Sequence, residues 1–151
     1  KFFSKEEFEE MREKILSQVK TDCSLKIFGM EKYAHHLQGG VRNAEKAGVL
    51  KAISFTQGDA TIPENYPKEA LTHIVVNPPY GIRMVPKGSP KGLYVGFIKA
   101  LKKVAQNGTL VLISGAHKRF EEAASECGLK MAEARIVSHG DLWAKIFKCR
   151  I

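Results

Sequence analysis

Apolar and polar positions along this chain switch between a period near 3.6 and a period near 2, and those switches predict its elements. Phe8, Met11, Ile15 and Val19 recur at helical spacing, so Ser4 to about Val19 reads as a helix. Ser4 and Glu7 have capping-box spacing at its start, and Phe3 with Phe8 has the spacing of a hydrophobic staple. Leu25 to Met30 (LKIFGM) is a short apolar run ending at Glu31 and predicts a buried strand. Tyr33 to Ala47 is helix-like, with Gly48 where a C-terminal glycine stops a helix. Ile53 to Gln57 (ISFTQ) alternates and leads into Gly58-Asp59. Leu71 to Val76 (LTHIVV) is the next strand, ended by Asn77-Pro78-Pro79 because two prolines cannot continue a central ladder. Residues 81–90 read as a Gly- and Pro-rich loop. Leu93 to Ala105 is an amphipathic helix, with Leu93, Phe97, Leu101 and Val104 on one face, and Asn107-Gly108 is a turn. Thr109 to Ile113 (TLVLI) has the little-interrupted apolar character of a strand covered on both faces. Lys118 to Cys127 is a helix stopped by Gly128, and 130–138 with 142–150 form two strands around Ser138-His139-Gly140-Asp141.

Helices alternating with strands, closed by a hairpin, predict an α/β fold with a mostly parallel sheet. Ligands of such sheets bind beyond the carboxyl ends of the strands. Three of those ends carry polar residues, Glu31, Asp59 and Asn77, and chemistry is expected there.

Composition narrows the class. At 151 residues the chain is the size of one domain and long enough to bury a core without a disulfide or metal staple. With 44% hydrophobic and 26% charged residues it is neither disordered nor collagen-like. The net charge of +8 favours an anionic partner such as nucleic acid but carries no information on fold. Cys23, Cys127 and Cys149 are widely spaced, odd in number and outside any C-x-x-C, so they read as free thiols rather than a zinc site. No metal site is expected. No apolar run has the roughly 18 residues of a membrane span, and KFFSKEEFEE turns acidic too soon for a secretory signal, so a cytoplasmic protein is expected. The chain starts at Lys1 rather than Met, as a fragment or processed product would.

Asn77-Pro78-Pro79-Tyr80 is the sharpest signal. Asn77 brings a side-chain carbonyl oxygen. Pro79 lacks an N–H and holds Pro78 extended, so the Pro78 carbonyl can face outward at a fixed angle. Two fixed acceptors suit the grip of one amino group through both its hydrogens, and Tyr80 adds a face on which a base can stack. An exocyclic amine is a poor nucleophile because its lone pair is delocalised into the ring. Accepting both hydrogens and aiming the nitrogen restores nucleophilicity by positioning and electrostatics.

NPPY resembles motif IV of the class I S-adenosylmethionine-dependent methyltransferases that modify exocyclic amines of bases. The longer run NPPYGIRM is similar to the RNA guanine-N2 methyltransferases that often carry a THUMP domain and act on tRNA or large-subunit rRNA. IFGMEKYAHHLQGGVRNAEKAGV is similar to that family's second strand and following helix, FTQGDA to its third motif, and the last hairpin to its antiparallel final strands. The resemblance covers about residues 25–151. It implies a Rossmann-like sheet with helices on both faces and a C-terminal antiparallel hairpin. It implies S-adenosyl-L-methionine as cofactor, Glu31 on the ribose, Asp59 on the adenine amine, and Asn77 between cofactor and base. Asn77, Pro78, Pro79 and Tyr80 would be the catalytic run.

One departure stands out. The family's first strand and Gly-rich turn have no counterpart: no G-x-G occurs, and Gly39-Gly40 lies inside a predicted helix. In the family's strand order, 3-2-1-4-5-7-6, the absent strand lies between those ending at Glu31 and Asn77. The whole of 1–151 then reads as a methyltransferase domain fragment, with 1–24 a helix and linker and 25–151 supplying strand two onward. Either an upstream segment or second polypeptide supplies the strand, or the Leu25 and Leu71 strands pair directly. Weak or no cofactor binding by this chain alone is expected.

Arg83, Lys87 and Lys91 follow Tyr80 in the Gly-containing loop, and Lys118 with Arg119 follows the next strand; together they are candidate contacts to RNA phosphates. Lys99, Lys102 and Lys103 are expected on a wet helix face, His35 and His36 as surface or packing residues, and Trp143 in the core. Two other functions compete: adenine-N6 methylation of DNA or RNA, which uses the same four residues, and a non-catalytic RNA-binding remnant of the fold.

Overall fold

The computed structural model describes residues 4–20, 25–79, 90–105, 107–139 and 142–151. The first helix, α1, is Lys5–Leu16. Its capping box forms as the sequence predicts: Ser4 N donates to Glu7 Oε2 at 2.7 Å and Glu7 N donates to Ser4 Oγ at 3.1 Å. No residue of α1 is buried, and Phe8, Met11 and Ile15 all face solvent. The helix ends short of Val19: Leu16 and Val19 are exposed, and propensity alone holds short helices poorly.

Strand β1 is Ile27–Glu31, helix α2 is Ala34–Lys46 and strand β2 is Ile53–Gln57. Gly48, at φ 72°, takes the left-handed conformation after α2 that glycine adopts without strain. Short 3-10 helices, which the hydrophobic pattern did not predict, form at Leu50–Ala52 and Pro63–Asn65. Strand β3 is His73–Val76, helix α3 is Pro90–Val104, strand β4 is Thr109–Ser114 and helix α4 is His117–Glu126. The strands β5, Lys130–His139, and β6, Leu142–Arg150, complete the chain. Helix α3 begins three residues before the predicted Leu93; Pro90 fits there because the first helical turn needs no N–H.

Two sheets result. Strands β1 and β2 pair in parallel from Ile27↔Ile53 to Glu31↔Gln57. The second sheet has the order β3-β4-β6-β5, parallel between β3 and β4 and antiparallel thereafter. Among the described residues, β1 and β3 each keep one edge unpaired, and direct pairing of the Leu25 and Leu71 strands does not occur.

The main core lies on one face of the four-stranded sheet. Leu110 and Leu112 of β4, Phe147 and Cys149 of β6, and Ile74 and Val76 of β3 meet Tyr94, Phe97, Ile98 and Leu101 of α3 and Phe120 and Ala123 of α4. Phe120 anchors α4 there, with ring centroids 4.7 Å from Phe147 and, edge-on, 5.5 Å from Tyr94. The opposite face is open: Val75 is 83% exposed, and Val111, Ile113 and Ile146 beside it are only partly buried.

Two side chains depart from expectation. Trp143 is 70% exposed near the hairpin end of β6, two residues before Lys145, whose ammonium donates to Glu121 of α4. Lys102 is more than a solvated charge: its ammonium donates 2.6 Å to the carbonyl of Cys127 and so caps the last turn of α4. Cys127 and Cys149 are free thiols, and burial pushes the Cys149 thiol up to about 11. No helix among the described residues is long and apolar enough to cross a membrane.

Candidate functional site

Parallel pairing brings the ends of β1 and β2 together. Glu31 is the last residue of β1 and lies opposite Gln57, and Gly58 N donates 3.0 Å to the Glu31 carbonyl. Tyr33, at the N-cap of α2, donates its N–H to Glu31 Oε1 at 2.9 Å, leaving Oε2 without a hydrogen-bond partner among the described residues. Glu31 rims a cleft of about 180 Å³ between β1 and α2, lined also by Met30, His36, Leu37 and Phe55. The Phe55 ring lies against β1 at Gly29, where a Cβ would stand 3.0 Å from it and press on the ring.

Asp59 is the most tightly fixed polar group of this end. Its Oδ1 accepts from Thr61 N at 2.9 Å and Thr61 Oγ1 at 2.7 Å, and its own N–H donates to Asn65 Oδ1 at 2.7 Å. Its Oδ2 accepts from Lys32 Nζ at 2.7 Å. The Lys32 ammonium and the two Thr61 donors hold the Asp59 carboxyl down at about 2, so it is an ionised acceptor at neutral pH. The same pair raises Lys32 above its ordinary value. The Asp59 segment is seated on the main core: Ala60 and Tyr66 pack against it, Tyr66 donates its hydroxyl to the Ala60 carbonyl at 2.7 Å, and Thr61 lies against Gly96 of α3. Burial, with the Asp59 charge adding to it, raises the Tyr66 phenol well above its ordinary value.

The second sheet presents Asn77 directly after β3. Asn77 is exposed, Pro78 is half-buried, and the Asn77 carboxamide has no hydrogen-bond partner among the described residues. Tyr80, Arg83 and Lys87 lie outside the described residues. Because β3 and β4 are parallel, the end of β4 at Ser114 flanks Asn77. Ser114 is fully buried, shares a 2.7 Å hydrogen bond with Tyr94 and accepts from Ala116 N at 2.9 Å, which fixes the turn into α4. His117 opens α4 with Nδ1 buried and without a hydrogen-bond partner among the described residues. The structure therefore gathers Glu31 with Asp59 at one pair of strand ends, and Asn77 with Ser114 at the other.

The basic residues differ among themselves. Lys91 pairs with Glu126 at 2.8 Å and Arg119 with Glu122 at 3.2 Å, whereas Lys118 is exposed with no ion pair among the described residues. No cluster of metal-ligating side chains occurs among the described residues.

Sequence reasoning missed Lys32, Thr61, Asn65, Tyr94, Ser114 and His117. Ser114 was within reach, since the rule that selected Glu31, Asp59 and Asn77 applies equally to the end of β4. Lys32 had no sequence signal, because its partner is 27 residues away.

Against known proteins, residues 1–145 match the profile of the UPF0020 family, described as an RMKL-like methyltransferase domain. The chain is 43% identical over 126 residues to a tRNA (guanine(6)-N2)-methyltransferase of Archaeoglobus fulgidus, covering 83% of this chain and 31% of that protein. It is 33% identical over 141 residues to the like-named protein of Methanocaldococcus jannaschii, covering 91% and 36%. The crystal structure of a possible methylase from Clostridium difficile 630 superposes with a TM-score of 0.75 at 28% identity, over 97% of this chain and 37% of that one. The chain thus spans about a third of the length of these two curated relatives. The profile match, these relatives and a parallel sheet with polar strand ends agree: the chain belongs to the UPF0020 family of RMKL-like methyltransferase domains.

Proposed function

We propose that this chain is part of an enzyme that methylates the exocyclic N2 amine of guanine in tRNA or rRNA, with S-adenosyl-L-methionine as methyl donor. The observation that carries the reading is the pairing of two acceptor sets at strand ends. An ionised Asp59 and a half-satisfied Glu31 stand at one, and at the other stands an Asn77 carboxamide with no hydrogen-bond partner among the described residues.

These residues fit the cofactor. Asp59 Oδ2, ionised at neutral pH, can accept from an adenine amine, and Glu31 Oε2 faces no competing donor among the described residues and can accept from ribose hydroxyls. When bound, S-adenosylmethionine supplies an electrophilic methyl group on a sulfonium. The chain's part is to grip the target amine through the Asn77 side-chain oxygen and the Pro78 carbonyl, with the base stacked on Tyr80. That arrangement holds the nitrogen lone pair out of the ring. The guanine must leave its stack to reach the site. Lys118, with Arg83, Lys87, Lys91 and Arg119, would contact RNA phosphates, and the cytoplasm is the expected compartment.

The unpaired edges of β1 and β3 are read as one slot for a parallel strand from an upstream segment or a second polypeptide. Right-handed crossovers support this. With the sheets in the order β2-β1-slot-β3, a helix joining the slot strand to β1 lies on the face opposite α3, where Val75 is bare. Helix α1 immediately precedes β1 and has an apolar stripe to place there. Residues 1–24 would then be a crossover helix and linker, and 25–151 strand two onward.

Two experiments test the reading. A thermal-shift titration of this chain with S-adenosylmethionine should show little stabilisation; clear saturable stabilisation would refute the need for the slot strand. With the preceding sequence of its reading frame attached, the protein should convert guanosine to N2-methylguanosine in an RNA transcript, read by mass analysis of nucleosides. N6-methyladenosine in place of N2-methylguanosine would refute the assignment. In that protein Asn77→Ala should lose most turnover while the far-UV circular dichroism is unchanged.

A further inference from the structure

The two strand ends that carry Glu31 and Asp59 are laced together by Lys32. Its carbonyl accepts from Gln57 Nε2 at 3.2 Å, and the neighbouring Glu31 carbonyl accepts from Gly58 N at 3.0 Å, so the root of the side chain is fixed. From that root the ammonium reaches across to Asp59 Oδ2 at 2.7 Å. A carboxylate offers about four lone-pair sites. Thr61 N and Oγ1 use the two on Oδ1, and Lys32 uses one of the two on Oδ2. A single acceptor site remains on Asp59, and Lys32 sets its direction.

We propose that Lys32 is a positioning residue for the cofactor's adenine end, holding the Asp59 carboxylate in one plane so that its one open lone pair meets the 6-amino group. This rests on reading Asp59 as the adenine-amine acceptor. Without Lys32, Oδ2 would be held only through its bond to the carboxyl carbon, and the carboxylate could rotate about the Thr61 contacts. Ligand binding would then have to supply that ordering. Lys32 is more than half exposed, so its removal leaves the packed structure intact. The competing possibility is an ordinary surface ion pair, which contributes nothing measurable to binding.

The test uses the protein with the preceding sequence of its reading frame attached, and S-adenosylhomocysteine and S-inosylhomocysteine as calorimetric probes. The second probe carries an oxo group in place of the 6-amine. Lys32→Met should weaken S-adenosylhomocysteine about tenfold, the scale of one lost charge-assisted contact. It should also narrow the preference for the amino over the oxo probe. Lys32→Arg should recover most of both. In an Asp59→Asn background, Lys32→Met should have no further effect. Carbon-13 carboxyl resonances should show Asp59 titrating higher in Lys32→Met than in the parent. If Lys32→Met stays within twofold of the parent while Asp59→Asn binds poorly, the positioning role is overturned and the adenine reading survives. If Asp59→Asn binds like the parent, or the parent binds neither probe, the adenine reading itself fails.

Discussion

Removal of one ring, Phe120→Ala, tests how α4 is held over the end of β4. Phe120 is fully buried and packs on Phe147 and Tyr94, so it joins helix to sheet and to α3 in one contact set. Truncating a buried Phe to Ala costs about 3–5 kcal/mol from lost transfer energy and the cavity left behind. Two aromatic contacts go with it, each worth roughly 0.5–1.5 kcal/mol beyond area, which places the expected loss in the upper half of that range. A domain has roughly 5–15 kcal/mol in total, so the variant should fold but be marginal. At about 2–4 °C per kcal/mol for a chain of this size, the melting temperature should fall by about 8–20 °C. Urea unfolding and thermal melting followed by far-UV circular dichroism give both numbers. A loss below about 1 kcal/mol would show that Phe120 does not bind α4 to the sheet, and the placement of Ser114, His117 and Lys118 would lose its support.

Two further outcomes follow from the Asp59 turn. Asp59 has a folded value depressed to about 2 from 3.8, so its stabilisation is complete above about pH 4 and is lost as pH falls through 2. The shift corresponds to about 2 kcal/mol, reduced to about 1–2 kcal/mol by solvent at its Lys32 side. The stability gap between the parent and Asp59→Asn in urea should therefore be present at neutral pH and close between about pH 4 and pH 2. A gap that stays constant across that range would refute the ionised, bonded carboxylate. Gly58→Ala would put a Cβ 2.9 Å from Asn65 Cβ, displacing the side chain that accepts from Asp59 N. It should cost about 1–2 kcal/mol and speed hydrogen exchange at the Asp59 amide; unchanged exchange would count against that packing.

Short-range patterns in the chain already determined most of the local structure. The Ser4–Glu7 capping box, the Gly48 stop, the alternation over Ile53–Gln57 and the Asn77-Pro78-Pro79 terminator each act within a few residues, and each appears where periodicity and capping predict. The polar strand ends at Glu31, Asp59 and Asn77 were legible for the same reason, since a strand's end and its direction are local facts. Tertiary structure decided what depends on distant partners. Lys32 gains its meaning only from Asp59, and Lys102 only from the carbonyl of Cys127. Trp143 and the stripe on α1 look like core by composition, but burial is conferred by what covers a surface. Among the described residues nothing covers the face that carries Val75 or the stripe of Phe8, Met11 and Ile15. A hydrophobic pattern states which side chains favour burial; only the two assembled sheets, with edges open at β1 and β3 among the described residues, show which of them find a partner.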